Sequence, residues 1–266
     1  MASQPLALLL AIALSVSTLP AAEWTGWRGP NGDARVPTGS LPTAWAAGKN
    51  VAWKTRTPGP GTSCPLVVGE RVYVTCYTGY GLEPGQGDQK QLIRHLLCLD
   101  RKTGEELWTK RFEPKLPEHK YAGEGSYHGY AASTPATDGK RLYVFLGKSG
   151  VYCLDLDGKQ LWHADVGGGT NRWGTGTSPL LYQGLVIVNA SVESGSMVAL
   201  DQKTGREVWK TGGMSSSWNT PVITRSPGGT AELVVSISGR VLGLDPGNGE
   251  KLWNADGVHR YVCPSV

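Results

Sequence analysis

The sequence predicts an all-β fold, a β-propeller built from four-stranded antiparallel blades, and three observations carry that prediction. One pattern occurs four times: an alternating strand, an Asp, a Gly turn, then an aliphatic–Trp pair, with the Trp residues 54, 47 and 44 positions apart. Between these segments a small residue, a Pro and a second alternating strand recur at Cys64-Pro65, Thr134-Pro135, Ser178-Pro179, Thr220-Pro221 and Cys263-Pro264. The composition agrees, with 37 Gly and 17 Pro among 266 residues, 18% charged residues, and 10 Trp against 2 Phe. Such a chain is poor in long helices and coiled coils, and its Trp excess points to one structural task repeated. Period-two alternation is the strand signature, and four short strands in about 44 residues is the size of one propeller blade.

Taken from the N-terminus, Leu6–Val16 is an apolar run of 11 residues, short of the about 20 needed to span a bilayer. Small and turn residues follow as far as Ala22, so residues 1–22 read as a secretory signal, with a membrane anchor as runner-up. No Lys or Arg precedes the run, a strict A-x-A site is missing, and no Cys follows closely enough for a lipid anchor. The expected location is exported, periplasmic or extracellular, with no transmembrane span in the mature chain. Export permits disulfides, but Cys64, Cys76, Cys98, Cys153 and Cys263 are odd in number. All five fall on small or apolar slots of the repeat and are read as packing residues.

Residues 23–62 form an N-terminal extension. Within it Asn50–Thr55 resembles the outer strand of a blade, with Trp53 in the Trp slot, and is expected to act as a closing strand without inner partners. Residues 63–262 are read as four blades, and the second strands carry the runs VYVTC, LYVFL, VIVNA and LVVSI. The tight hairpins run Leu96–Trp108, Val151–Trp162, Met197–Trp209 and Val241–Trp253. Asp100, Asp201 and Asp245 are placed to accept turn N–H groups, and Gly104, Gly158, Gly205 and Gly249 supply positive φ. Trp108, Trp162, Trp209 and Trp253 then fall on outer strands. Packed against the next blade, each ring is worth about 3–5 kcal/mol on truncation to Ala. Residues 263–266 look like the start of a fifth blade. The expectation is therefore an incomplete propeller, a fragment of about four blades plus the orphan closing strand, monomeric when complete.

The segment Ala199–Trp209 reads A-L-D-x-x-T-G-x-x-x-W, which resembles the tryptophan-docking repeat of pyrroloquinoline-quinone-like β-propellers. The other three copies depart by one or two residues, and WTGWRGPNG at Trp24–Gly32 is similar to the start of secreted bacterial members. The resemblance implies the fold strongly and the activity weakly. The same repeat serves quinoprotein alcohol dehydrogenases and a non-enzymatic scaffold lipoprotein of outer-membrane assembly.

Candidate chemistry is sparse. His95, His119, His128, His163 and His259 show no zinc-ligand spacing. Asp155-Leu156-Asp157-Gly158 looks like the opening of a calcium loop but aligns with the hairpins. Asn189-Ala190-Ser191 matches a glycan acceptor but lies on a strand. Tyr127, His128, Tyr130, Trp173, Trp218 and Tyr261 each precede the Pro element of an inner strand, which gathers them at one mouth of the channel. There they could stack on a planar cofactor, a sugar or a peptide, or pack as a loop rim. The long loop Glu113–Gly129 is expected to cover part of that mouth.

The mild net charge of +4 gives no support to nucleic-acid binding. The preferred reading is a non-catalytic exported scaffold with a protein or glycan partner on the propeller face and no cofactor. The alternative is a fragment of a quinoprotein dehydrogenase using quinone and calcium. Such enzymes carry a vicinal Cys pair, which this chain lacks. Glu124, Glu193, Asn171 and Asn189 offer oxygens but match no family motif.

Overall fold

The computed structural model describes residues 23–36 and 42–265, and the 1–22 signal reading lies outside them. Among the described residues sixteen strands form four antiparallel sheets, each in sequence order from inner to outer strand. Blade 1 comprises β1 (Leu66–Val68), β2 (Arg71–Thr78), β3 (Ile93–Asp100) and β4 (Glu106–Phe112). Blade 2 comprises β5 (Ala136–Thr137), β6 (Arg141–Phe145), β7 (Val151–Asp155) and β8 (Gln160–Ala164). Blade 3 comprises β9 (Leu180–Tyr182), β10 (Leu185–Ala190), β11 (Ser196–Asp201) and β12 (Glu207–Gly212). Blade 4 comprises β13 (Val222–Arg225), β14 (Ala231–Ile237), β15 (Arg240–Leu244) and β16 (Lys251–Asp256). This is the all-β propeller architecture.

The blades stack through their second and third strands, which are buried on both faces. Leu142, Val144 and Leu146 pack with Leu96, Cys98 and Phe112 of blade 1. Their neighbours Tyr143 and Phe145 turn the other way, onto Val186, Val188 and Val198 of blade 3. Ile187 and Met197 then meet Leu233, Val235 and Leu242 of blade 4. Two-sided burial explains why these strands read as nearly continuous apolar runs.

Each outer strand places its Trp directly across from the small slot of the third strand. Cys98 pairs with Trp108, Cys153 with Trp162, Ala199 with Trp209 and Gly243 with Trp253, and in every blade the register shifts immediately afterwards. The bulky indole takes the space above its partner, so only a small side chain fits there. At Gly243 an added Cβ would collide with the Trp253 ring.

The same indoles reach the next blade. A Cβ at Gly158 would lie 3.1 Å from Trp108, at Gly205 2.6 Å from Trp162, and at Gly249 2.5 Å from Trp209. Trp162 Nε1 donates to Gln202 O at 3.0 Å and Trp209 Nε1 to Pro246 O at 3.2 Å. Trp108 Nε1 has no acceptor among the described residues. Trp253 Nε1 donates within its own blade, to Glu232 at 2.9 Å. The hairpins have the expected chemistry: Asp100 Oδ1 accepts from Lys102 N and Thr103 N, and Asp201 Oδ1 from Lys203 N and Thr204 N. These bonds hold both carboxyls below the usual range, the Thr103 backbone bond leading at Asp100 and the Thr204 hydroxyl at Asp201. Asp155 Oδ1 accepts from Asp157 N and Lys159 N, so the calcium-like motif is a turn of the same kind.

The extension differs from expectation in form. Residues 51–57 carry no assigned strand, because none of the four sheets offers them a ladder. They dock through side chains. Trp53 Nε1 donates to Arg101 O at 2.8 Å and Thr55 Oγ1 to Gly104 O at 2.5 Å, as Thr211 Oγ1 does to Gly249 O at 2.7 Å. The Trp53 ring also lies against Gly104 and packs on the outer apolar face of blade 1, at Val72, Leu97 and Leu99. Nearer the N-terminus, Trp24 exchanges two backbone bonds with Val67 at 2.9 Å, and Thr25 O accepts from Thr137 N at 2.9 Å. The segment therefore bridges the inner strands of blades 1 and 2. The inner strands are also tied to one another: Cys64 N donates to Thr134 Oγ1, and Ser178 N to Thr220 Oγ1, each at 2.9 Å.

Candidate functional site

The loops entering the inner strands converge at one mouth of the channel, and buried polar struts fix them. Asn189 Nδ2 donates to Ser217 Oγ and to Asn219 O, and Asn219 Nδ2 to Ser236 O. Asn189 is 1% exposed, so its amide is a strut between blades 3 and 4 and offers no surface for a glycan or a metal. Trp218 N donates to Val262 O, and Val262 N to Ser216 O. Trp218 Nε1 reaches Gly174 O at 2.8 Å, which ties the loop before blade 4 to the loop before blade 3.

The long loop is anchored by a buried ion pair. Arg94 Nη2 meets Glu118 Oε1 at 2.7 Å with both side chains 6% exposed, and Arg94 Nε donates to Tyr130 O at 2.8 Å. Gln89 closes the other side by bonding Glu118 N, Glu118 O and His119 O. Burial pushes the His119 imidazole down to about 4, which keeps it neutral.

Four of the six predicted rim residues line one cleft. Tyr127, His128, Trp173 and Trp218 surround a cavity of about 320 Å³, together with Trp27, Thr62 and Cys263. Trp173 stacks on Tyr261 with centroids 5.0 Å apart and an interplanar angle of 24°. Trp218 meets Trp173 at 5.6 Å and Tyr261 edge-on at 5.7 Å. Tyr127 is 80% exposed, and burial lowers the His128 pKa.

Tyr130 departs from the rim reading. Its ring is buried, set edge-on to Tyr77 at 5.4 Å and against His119 at 4.5 Å, and its hydroxyl donates to His119 O at 2.7 Å. Apolar burial and a waiting backbone acceptor draw it under the loop, away from the mouth. His259 packs instead against Gly239.

Five lining residues, Trp27, Thr62, Ala132, Gly176 and Cys263, carried no site signal in the sequence. Trp27 belongs to a segment some 100 positions from the rim loops, and Cys263 occupies a slot read as structural. All five cysteines are free thiols.

The fold family implies a quinone and calcium, and the cleft does not fit them. Among the described residues no three His, Cys, Asp or Glu side chains gather as a metal site. No Lys or Arg lines the cleft to meet the carboxylates of such a quinone. Glu193 is 4% exposed, and burial pushes its carboxyl up to about 7. Its Oε1 accepts from the Thr175 hydroxyl, and its Oε2 has no partner among the described residues. Asn171 Oδ1 accepts from Trp173 N at 3.1 Å, and Glu124 lies in the short turn Gly123–Ser126.

Comparison with known proteins supports the fold. Residues 94–257 match the family described as outer membrane protein assembly factor BamB. The protein of that name from Burkholderia pseudomallei is 29% identical over 177 residues, covering 62% of this chain and 37% of its own length. Among solved structures, BamB from Moraxella catarrhalis is 19% identical, with 78% of this chain and 55% of that one covered, at a TM-score of 0.52. The quinohemoprotein alcohol dehydrogenase from Comamonas testosteroni is 16% identical, with 90% and 42% covered, at a TM-score of 0.61. The chain thus spans little more than half of these relatives at most, and the two solved structures show the fold alone. No helix among the described residues is long and apolar enough to cross a membrane.

Proposed function

The chain belongs to the pyrroloquinoline-quinone-like propeller family described as outer membrane protein assembly factor BamB, and from that premise we propose that it is an exported, non-catalytic scaffold that holds a partner protein at its aromatic rim. One observation carries this reading. Tyr127, His128, Trp173 and Trp218, drawn from successive blades, face one cleft with no carboxylate or cation among its lining. Aromatic anchors lining a depression are what protein recognition uses. Apart from Tyr127, the titratable residues of that lining are His128 and Cys263, and burial moves both toward their neutral forms, lowering the His128 pKa and raising that of Cys263. A titration of the exported protein with quinone and calcium, followed by Trp fluorescence, tests the reading. No saturable change is expected, whereas calcium-dependent quenching coupled to alcohol oxidation would overturn it. In parallel, a photo-crosslinking residue at Tyr127 is expected to give discrete protein adducts that disappear with Trp173→Ala. Adducts identical to those from an outer-strand position such as Leu161 would also sink the proposal.

A further inference from the structure

Trp27 lines two cavities at once. It borders the rim cleft, and it also borders a second cavity of about 210 Å³. That second cavity lies between residues 25–32 and the starts of the inner strands, at Ala136, Leu181 and Pro221. Trp27 is thus common to the lining of both spaces. Its segment is held in place by the paired backbone bonds of Trp24 with Val67. Gly29, at φ 80°, leaves room for the Trp24 ring, which would lie 2.9 Å from an added Cβ. The Arg28 guanidinium covers the Trp27 ring at 5.3 Å from the centroid, which holds the indole from one side.

The lining also selects a ligand class. An ionised group entering the cleft would lose hydration without gaining a counter-charge. A sugar brings many hydroxyls, each costly to bury unpaired, and the polar lining atoms are few: the Thr62 hydroxyl already donates to His128 O at 3.3 Å, and among the described residues only Trp173 Nε1 and His128 Nδ1 of the lining are buried without a partner. A flat apolar ring meets the walls well, since aromatic pairs favour offset and edge-on contact at 4.5–7 Å. Resting on the scaffold reading, we propose that the cleft takes an uncharged aromatic side chain from an extended partner polypeptide and that Trp27 is the floor on which that ring lands.

The test uses the full chain labelled with 5-fluorotryptophan and observed by fluorine NMR. The probes are the capped peptide acetyl-Gly-Ser-Trp-Ser-Gly-amide, its Ala analogue, and cellotriose. The Trp peptide is expected to shift the Trp27, Trp173 and Trp218 resonances, and the Ala peptide and cellotriose to leave them in place. Trp27→Ala should weaken peptide binding at least about fivefold, and Trp27→Phe should retain most of it. Unmoved Trp162 and Trp209 resonances certify that each variant is folded. Equal peptide affinity in Trp27→Ala would remove Trp27 as the floor. Shifts with cellotriose alone would overturn the ligand class. No shift with either probe would overturn the inference while leaving the scaffold reading to the crosslinking at Tyr127.

Discussion

The backbone N–H of Thr134 donates to the hydroxyl of Ser178 across 3.0 Å, joining blade 2 to blade 3 at the entrance to their inner strands. The same step precedes it, from Cys64 N to Thr134 Oγ1, and follows it, from Ser178 N to Thr220 Oγ1. Thr134 and Ser178 thus serve as donor through the backbone and acceptor through the side chain. The recurring small residue before Pro is thereby explained as one link of an inter-blade chain. The link is buried, so breaking it strands a donor. Ser178→Ala is expected to cost about 1–3 kcal/mol, and Ser178→Thr, which keeps the hydroxyl, much less. Urea unfolding of the two variants checks this.

Gly205 combines φ 72° with an indole at 2.6 Å from any added Cβ, whereas Gly184 has φ 85° and open space. Gly184→Ala should cost about 1–2 kcal/mol for the left-handed backbone alone. Gly205→Ala should cost about 2–4 kcal/mol, because the Trp162 ring must also be displaced. A difference of less than about 0.5 kcal/mol in thermal or urea denaturation would show that the indole is not seated on this hairpin.

Cys76, Cys98 and Cys153 are buried, and Cys263 is exposed. Burial pushes the Cys98 thiol up to about 11 and the Cys153 thiol up to about 12, so neither forms thiolate at neutral pH. A thiol reagent at pH 8 is expected to modify Cys263 first and the three buried thiols only on unfolding, as peptide mass mapping would show. Cys153→Ala should be well tolerated. Cys153→Leu should cost about 1–3 kcal/mol by crowding Trp162 across the ladder.

Burial raises the Glu193 carboxyl to about 7 from an ordinary 4.5. The folded state therefore holds the proton more tightly than the unfolded chain. Its stability is fully present below about pH 4.5 and is lost as pH rises through about 7. Glu193→Gln keeps the hydrogen bond from Thr175 and removes the charge. It is expected to stabilise the protein by about 1–3 kcal/mol at pH 8 and by little at pH 5, read from urea midpoints at both values. His119 acts in the opposite sense. Its pKa of about 4 lies below the ordinary 6.5, so stability falls as pH drops from 6.5 toward 4. That acid loss should be reduced in His119→Gln.

The blades were legible because each is a local ladder. Alternation places the strands, the Asp and Gly of each hairpin place its turn, and a small slot facing a Trp places the register. Trp53 was recognisable because Asn50–Thr55 resembles the Trp-bearing outer strand of a blade, although a missing ladder keeps residues 51–57 out of any strand. The rim was half legible. Position before the Pro element singled out Tyr127, His128, Trp173 and Trp218, which line one cleft, since the repeat itself sets where those loops emerge. The same rule placed Tyr130 at the rim, and its ring instead turned under the loop to meet Tyr77 and His119.

By itself the sequence determined the all-β propeller, the four hairpins and the slots that the Trp residues and their small partners occupy, because each depends on neighbours within one blade. Tertiary structure alone decided that Trp27 from the N-terminal segment shares a cleft with Trp218 and Cys263, that Glu193 is buried beside Thr175, and that Asn189 is a strut. Those contacts join residues from different blades. Their distances are set by how apolar faces pack and which rotamers that packing allows, and no periodicity along the chain records either.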